Sequence, residues 1–131
     1  MIGGKGEIRL ILSYQDLQVW QKSMDLVVEI YKIVKLLPKE ETYALSDQMR
    51  RAAVSIPSNI AEGQQRQTTK EFKYFLSIAK SSCSELTTQL LICQRINYLT
   101  NSQAQYALSL ADEIGRMLTV LSCNLPTANQ L

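Results

Sequence analysis

The chain has 131 residues, 46% of them hydrophobic, which makes one domain of ordinary size with enough apolar material to bury a core. Its 14 Lys and Arg stand against 12 Asp and Glu, a net of +2 that is too mild for a protein coating nucleic acid by charge alone. Histidine is absent, which excludes His-based acid–base chemistry, Ser-His and Cys-His nucleophile pairs, and His-containing metal sites.

In chain order, residues 1–12 come first. Their apolar run is short, broken by charge and without a small-residue cleavage site, so they read as a loosely held N-terminal arm rather than a signal peptide. Ser13 with Asp16 three residues on resembles a capping box opening the first helix. Leu17, Trp20, Met24, Val27, Tyr31 and Val34 then recur at spacings of 3 and 4, one apolar face. A second set, Val19, Leu26, Ile30, Ile33 and Leu37, runs beside it. Two stripes are more than a monomeric bundle needs, and Val19, Leu26, Ile30 and Ile33 are the candidates for an interface between copies. Pro38 ends this helix.

The second helix begins near Ser46 and carries Leu45, Met49, Ala52, Ala53, Ile56 and Ile60 on its apolar face. Pro57 predicts a kink, with Ser55, Ser58 or Asn59 taking the freed carbonyl, and Gly63 fits a left-handed cap. Thr68 with Glu71 opens the third helix, and Phe72, Phe75, Leu76, Ala79, Cys83, Leu86, Leu90 and Cys93 keep the helical period to about Asn97. Thr100 with Gln103 opens the fourth, where Ala107, Leu110, Ile114, Met117 and Leu121 repeat until Asn124 and Pro126 stop it. The expected fold is all-α: an antiparallel up-down-up-down four-helix bundle over 13–125, with helices roughly 30 Å long and a tail over 126–131.

Three cysteines without a C-x-x-C pair argue against a disulfide framework or zinc ribbon, and Cys83, Cys93 and Cys123 read as small buried hydrophobes. No stretch reaches the 18 apolar residues of a membrane span, so a cytoplasmic location with no membrane partner is expected. Glu62 and Glu85 could face inward, but without histidine a di-metal bundle site fails, and pairing with Arg50 or Arg51 is the expectation. No Gly-rich phosphate loop exists, and Ser and Cys nucleophiles lack a base, so neither enzyme activity nor a cofactor is expected.

The basic residues carry more. Arg66, Lys70, Lys73 and Lys80 fall at spacings of 4, 3 and 7 on one helical face, with Lys32, Lys35 and Lys39 as possible additions. Such a stripe can follow phosphates, and a solvated helix face is the plain alternative. No interleaved aromatic pattern points to base readout.

Two segments also carry a resemblance: Tyr14 to Lys22 (YQDLQVWQK) and Gln48 to Gly63 (QMRRAAVSIPSNIAEG), with a weaker one from Glu71 to Leu90. Together they resemble the bacterial four-helix-bundle proteins named for reading frames in intervening sequences of the large ribosomal RNA. That family is related in fold to the accessory subunit of diversity-generating retroelements. The resemblance implies a ring-shaped homopentamer with a non-enzymatic role, binding structured RNA or DNA. The alternative is a protein-interaction scaffold, for example an accessory ring for a reverse transcriptase. Arg50, Arg51, Pro57, Asn59, Glu62 and Gly63 become structural residues around the proline. The chain departs from the family's tendency at Ser81, where Gly is usual, and at Thr87, where an acid is usual.

Overall fold

Local capping sets where two of the four helices begin. The structure, a computed structural model, describes residues 13–126; the N-terminal arm and residues 127–131 lie outside the described residues. Four helices follow one another: α1 (Gln18–Val34), α2 (Leu45–Gln64), α3 (Thr69–Arg95) and α4 (Asn101–Asn124). Their lengths differ from the uniform expectation: at 1.5 Å per residue α1 spans about 25 Å and α3 about 40 Å.

The caps at Thr68 and Thr100 form as their spacing predicts. Thr68 Oγ1 accepts from Glu71 N–H at 3.1 Å. Thr100 makes the full reciprocal box, accepting from Gln103 N–H (3.1 Å) while its own N–H donates to Gln103 Oε1 (2.9 Å). Ser13 behaves differently. Its hydroxyl accepts from Gln15 N–H at 3.1 Å, capping a single 3-10 turn over Tyr14–Asp16, and α1 starts only after Leu17 turns extended. Asn97 closes α3 with φ of 65°, the left-handed cap that glycine usually supplies. The Tyr98 and Asn97 N–H groups donate to Cys93 and Gln94 carbonyls at 2.8 and 3.2 Å, which satisfies two orphan acceptors of the last turn. The Tyr98 hydroxyl then donates to Glu41 Oε2 at 2.9 Å, tying the α3–α4 connection to the α1–α2 connection.

Each helix packs against two others: α1 on α2 and α4, and α3 on α2 and α4. Along the α2–α3 seam, Gly63 meets Phe75, Ser55 meets Ser82 at 2.8 Å, and Met49 meets Cys93 at 3.8 Å, so rising numbers on α2 face falling numbers on α3. The interior holds Leu26, Ile30, Met49, Ile56, Ile60, Leu76, Leu86, Leu90, Ile114 and Leu118, each shielded almost completely. Burying each such side chain fully is worth about 1.5–3 kcal/mol, and this drives the assembly of the four helices.

Three sequence expectations are corrected here. Val19, Leu26, Ile30 and Ile33 are not on an outer face; they lie in the core, at 0–4% exposure. The two stripes differ only by rotation about α1, and α2 and α4 cover this one, leaving the stripe of Trp20, Met24, Val27 and Tyr31 as the outward face, with Met24 and Tyr31 at 41% and 44% exposure. Gly63 is not a left-handed cap either; no described glycine has positive φ, and α2 continues through it to Gln64. Its lack of a side chain serves contact instead, since a Cβ there would stand 2.8 Å from Phe75 Cβ and 3.0 Å from Phe72 Cδ1. Finally, α2 holds Pro57 inside it as expected, but Asn59 Nδ2 donates to the Ser55 carbonyl (2.8 Å) and Oγ (2.9 Å), not to the carbonyl of Ala53 that the proline leaves free.

Candidate nucleic-acid interface

Lysines that find no acid are where an anion can bind without displacing a partner. Among the described residues Lys70, Lys73 and Lys80 pair with no carboxylate, and they occupy the first four turns of α3. Lys70 and Lys80 are exposed and Lys73 is partly covered. Lys80 leans across to α4, donating from Nζ to Thr119 Oγ1 at 2.5 Å. Beneath it, burial pushes the Cys83 thiol up to about 12, against a smaller opposing pull from Lys80. Hydroxyl-bearing Ser84, Thr87, Thr88 and Thr119 line the rest of this α3–α4 groove, together with Asp112 and Arg116, which pair with each other. Gly115 opens it: a Cβ there would meet nothing within 4 Å, although glycine inside a helix costs about 0.5–1 kcal/mol relative to alanine.

Arg66 is committed elsewhere. It sits in the α2–α3 connection, its guanidinium pairs with Glu62, and its Cζ lies 4.8 Å above the centre of the Phe75 ring. Lys32 and Lys35 do not extend the stripe. They close α1 next to the connection that Tyr98 clasps, at the C-terminal end of α3 and thus roughly 40 Å from its first turn.

The expectation that no aromatic accompanies the basic stripe is overturned. Tyr74 is 61% exposed and shares a cleft of ≈ 540 Å³ with Arg66, Lys70, Glu71 and Phe75. Tyr74 and Phe75 make an edge-to-face pair, 5.3 Å between ring centres and 77° between planes. The sequence does interleave the two kinds here, with Lys70, Phe72, Lys73, Tyr74 and Phe75, but only the fold separates the exposed Tyr74 from the half-buried Phe72 and Phe75. The signal was the tyrosine four residues after Lys70, one helical turn along the same face.

The remaining motif residues are scattered. Arg50 and Arg51 both turn to Asp47, at 3.9 and 2.9 Å, and Arg50 Nη2 also donates to the Thr42 carbonyl (3.2 Å). They hold the first turns of α2, not the proline. Glu62 and Glu85 are exposed rather than inward; Glu85 accepts from Gln89 Nε2 at 3.2 Å. Among the described residues no group of three Cys, Asp or Glu gathers to hold a metal ion. Cys83 and Cys93 are buried as read, but Cys123 is exposed. No helix of the described residues is long and apolar enough to cross a membrane.

A second surface is apolar. Tyr14, Trp20, Met24 and Val27 form an apolar groove with Val54, Pro57, Ser58 and Ala61 between α1 and α2. Tyr14 and Trp20 also meet edge to face at 5.3 Å, with 63° between planes.

A family model described as 23S rRNA-intervening sequence protein matches residues 15–120. A solved structure from Bacteroides thetaiotaomicron, described as a protein with unknown function from the S23 ribosomal protein family, superposes with a TM-score of 0.74. It is 30% identical, and the match covers 79% of this chain and 97% of that one. No curated protein matches the chain.

Proposed function

The chain belongs to the 23S rRNA-intervening sequence protein family, and from that premise we propose that it is a non-enzymatic, homo-oligomeric RNA-binding protein. In this reading the four helices run up-down-up-down, copies associate through the apolar groove between α1 and α2, and Lys70, Lys73 and Lys80 bind the phosphates of a structured RNA. The observation that carries the reading is the row of lysines on α3 with no acid partner among the described residues. One such row is weak. Repeated in the ring of five that the family resemblance implies, it becomes a strong positive surface, because charge adds with copy number.

The test is RNA binding measured against salt. Binding should weaken as salt rises, with a log–log slope of about 0.7–0.9 per phosphate contact. Lys70→Glu with Lys73→Glu should reduce that slope and abolish binding at moderate salt. Undetectable binding at low salt, or affinity indifferent to salt, rejects the reading. The exposed apolar stripe on α1 favours a second reading, a scaffold for a protein partner such as a reverse transcriptase. It gains if light scattering gives the mass of a single chain and a partner copurifies after nuclease treatment.

A further inference from the structure

We propose that Tyr74 is a stacking platform for an unpaired RNA base, with Lys70 and Lys73 holding the adjoining phosphates. This rests on the RNA reading and adds to it a class of ligand, single-stranded segments such as loops and ends. The sequence places Lys70 and Tyr74 one turn apart on α3, and the fold leaves the tyrosine ring 61% exposed beside the lysine. The platform is fixed from below. Tyr74 rests edge to face on Phe75, and Phe75 is seated against Gly63, where only a missing side chain admits it. Arg66, tied to Glu62 and lying over Phe75, closes the cleft wall. Glu71 accepts a hydrogen bond from the Thr68 hydroxyl at 3.0 Å, which draws its carboxylate to the helix cap.

Every base has a π-face, so an aromatic ring flanked by cations binds single strands with little sequence preference. Bases in a duplex are already stacked on each other and cannot reach such a ring. An apolar protein surface would find two lysines to desolvate here, whereas a polynucleotide brings the anions they lack.

The experiment compares Tyr74→Ala, Tyr74→Trp and the wild-type chain for binding to a labelled oligouridine single strand and to an RNA duplex of equal length, each across a salt series. Stacking is worth about 1–3 kcal/mol per base, so Tyr74→Ala should weaken single-strand binding at least about fivefold. The salt slope should stay unchanged, because no phosphate contact is lost. Tyr74→Trp should restore the affinity, and duplex binding should be indifferent to both changes. Equal affinity of Tyr74→Ala and wild type for the single strand overturns the stacking proposal and leaves the electrostatic reading standing. A wild-type chain that binds neither RNA overturns both. A change in assembly mass for Tyr74→Ala would make this ring a contact between copies and would also overturn the proposal.

Discussion

Two aromatic pairs in this molecule share nearly one geometry and differ in everything around them. Tyr14 with Trp20 and Tyr74 with Phe75 both meet edge to face at 5.3 Å. The first is walled by Met24, Val27, Val54, Pro57 and Ala61, the second by Arg66, Lys70 and Glu71. An aromatic pair supplies area and a rigid surface; its neighbours decide whether apolar side chains or phosphates come with the partner. In the function proposed above, the α1–α2 groove takes another copy of the chain and the start of α3 takes a polynucleotide.

The largest effect that would break this contrast is loss of assembly. Met24→Glu with Tyr31→Glu places charge on the outward stripe of α1, where each buried apolar side chain would otherwise contribute about 1.5–3 kcal/mol per contact. Light scattering should then give the mass of one chain, with helix content by circular dichroism unchanged, because both positions are exposed in the single chain. The matched change at the start of α3, Lys70→Glu with Tyr74→Glu, should leave the mass as it was, since both positions are exposed there. Equal behaviour of the two double variants would erase the distinction between the surfaces.

A smaller effect separates two glycines. Gly63→Ala forces a methyl group against Phe75 and Phe72 and should destabilise the fold by about 1–3 kcal/mol in urea. Gly115→Ala meets open space and should stabilise it by about 0.5–1 kcal/mol through helix propensity. Opposite signs in one denaturation experiment are the expected outcome, and equal signs would contradict the packing described for the α2–α3 seam.

The smallest effect is at alkaline pH. The Cys83 thiol titrates at about 12 in the fold against 9.0 as the ordinary value, so the unfolded chain releases its proton first. Its contribution to stability is therefore complete below pH 9 and drains away as pH rises from 9 to about 12. Cys83→Ala should flatten that part of the stability profile. Near pH 8 a thiol reagent should modify exposed Cys123 in the native protein and reach Cys83 and Cys93 only on unfolding.

What the sequence makes legible is what depends on near neighbours. Thr68 and Thr100 announce their helices because a capping hydrogen bond spans three residues, and Pro126 announces the end near Asn124 because its ring and missing N–H act on the adjoining turn. The choice between the two stripes of α1 is not of this kind. Both sets have helical spacing, and only the positions of α2 and α4 decide that Leu26 goes inside while Met24 stays out. Gly63 misleads similarly: a glycine near a helix end fits a cap and fits a close crossing equally well, until Phe75 arrives from twelve residues away. The basic residues were legible as a list and not as a site. Spacing groups Arg66 with Lys70, but the carboxylate of Glu62 and the ring of Phe75 take Arg66 for themselves, and Tyr74 enters instead. Lys80 likewise shows its reach only when Thr119, 39 residues on, is brought beside it.

The clasp between Tyr98 and Glu41 has a mechanical consequence. It fastens together two of the three interhelical connections, while toward the opposite end, where Leu17 lines a cleft with Leu121 and Asn124, the tie between α1 and α4 among the described residues is the exposed ion pair of Lys22 with Glu113 at 3.3 Å, a weak one in water. Thermal breathing should thus start where Leu17 and Asn124 meet and travel toward Tyr98. Amide hydrogens in the first turn of α1 and the last turn of α4 would exchange with deuterium well before those near Cys93.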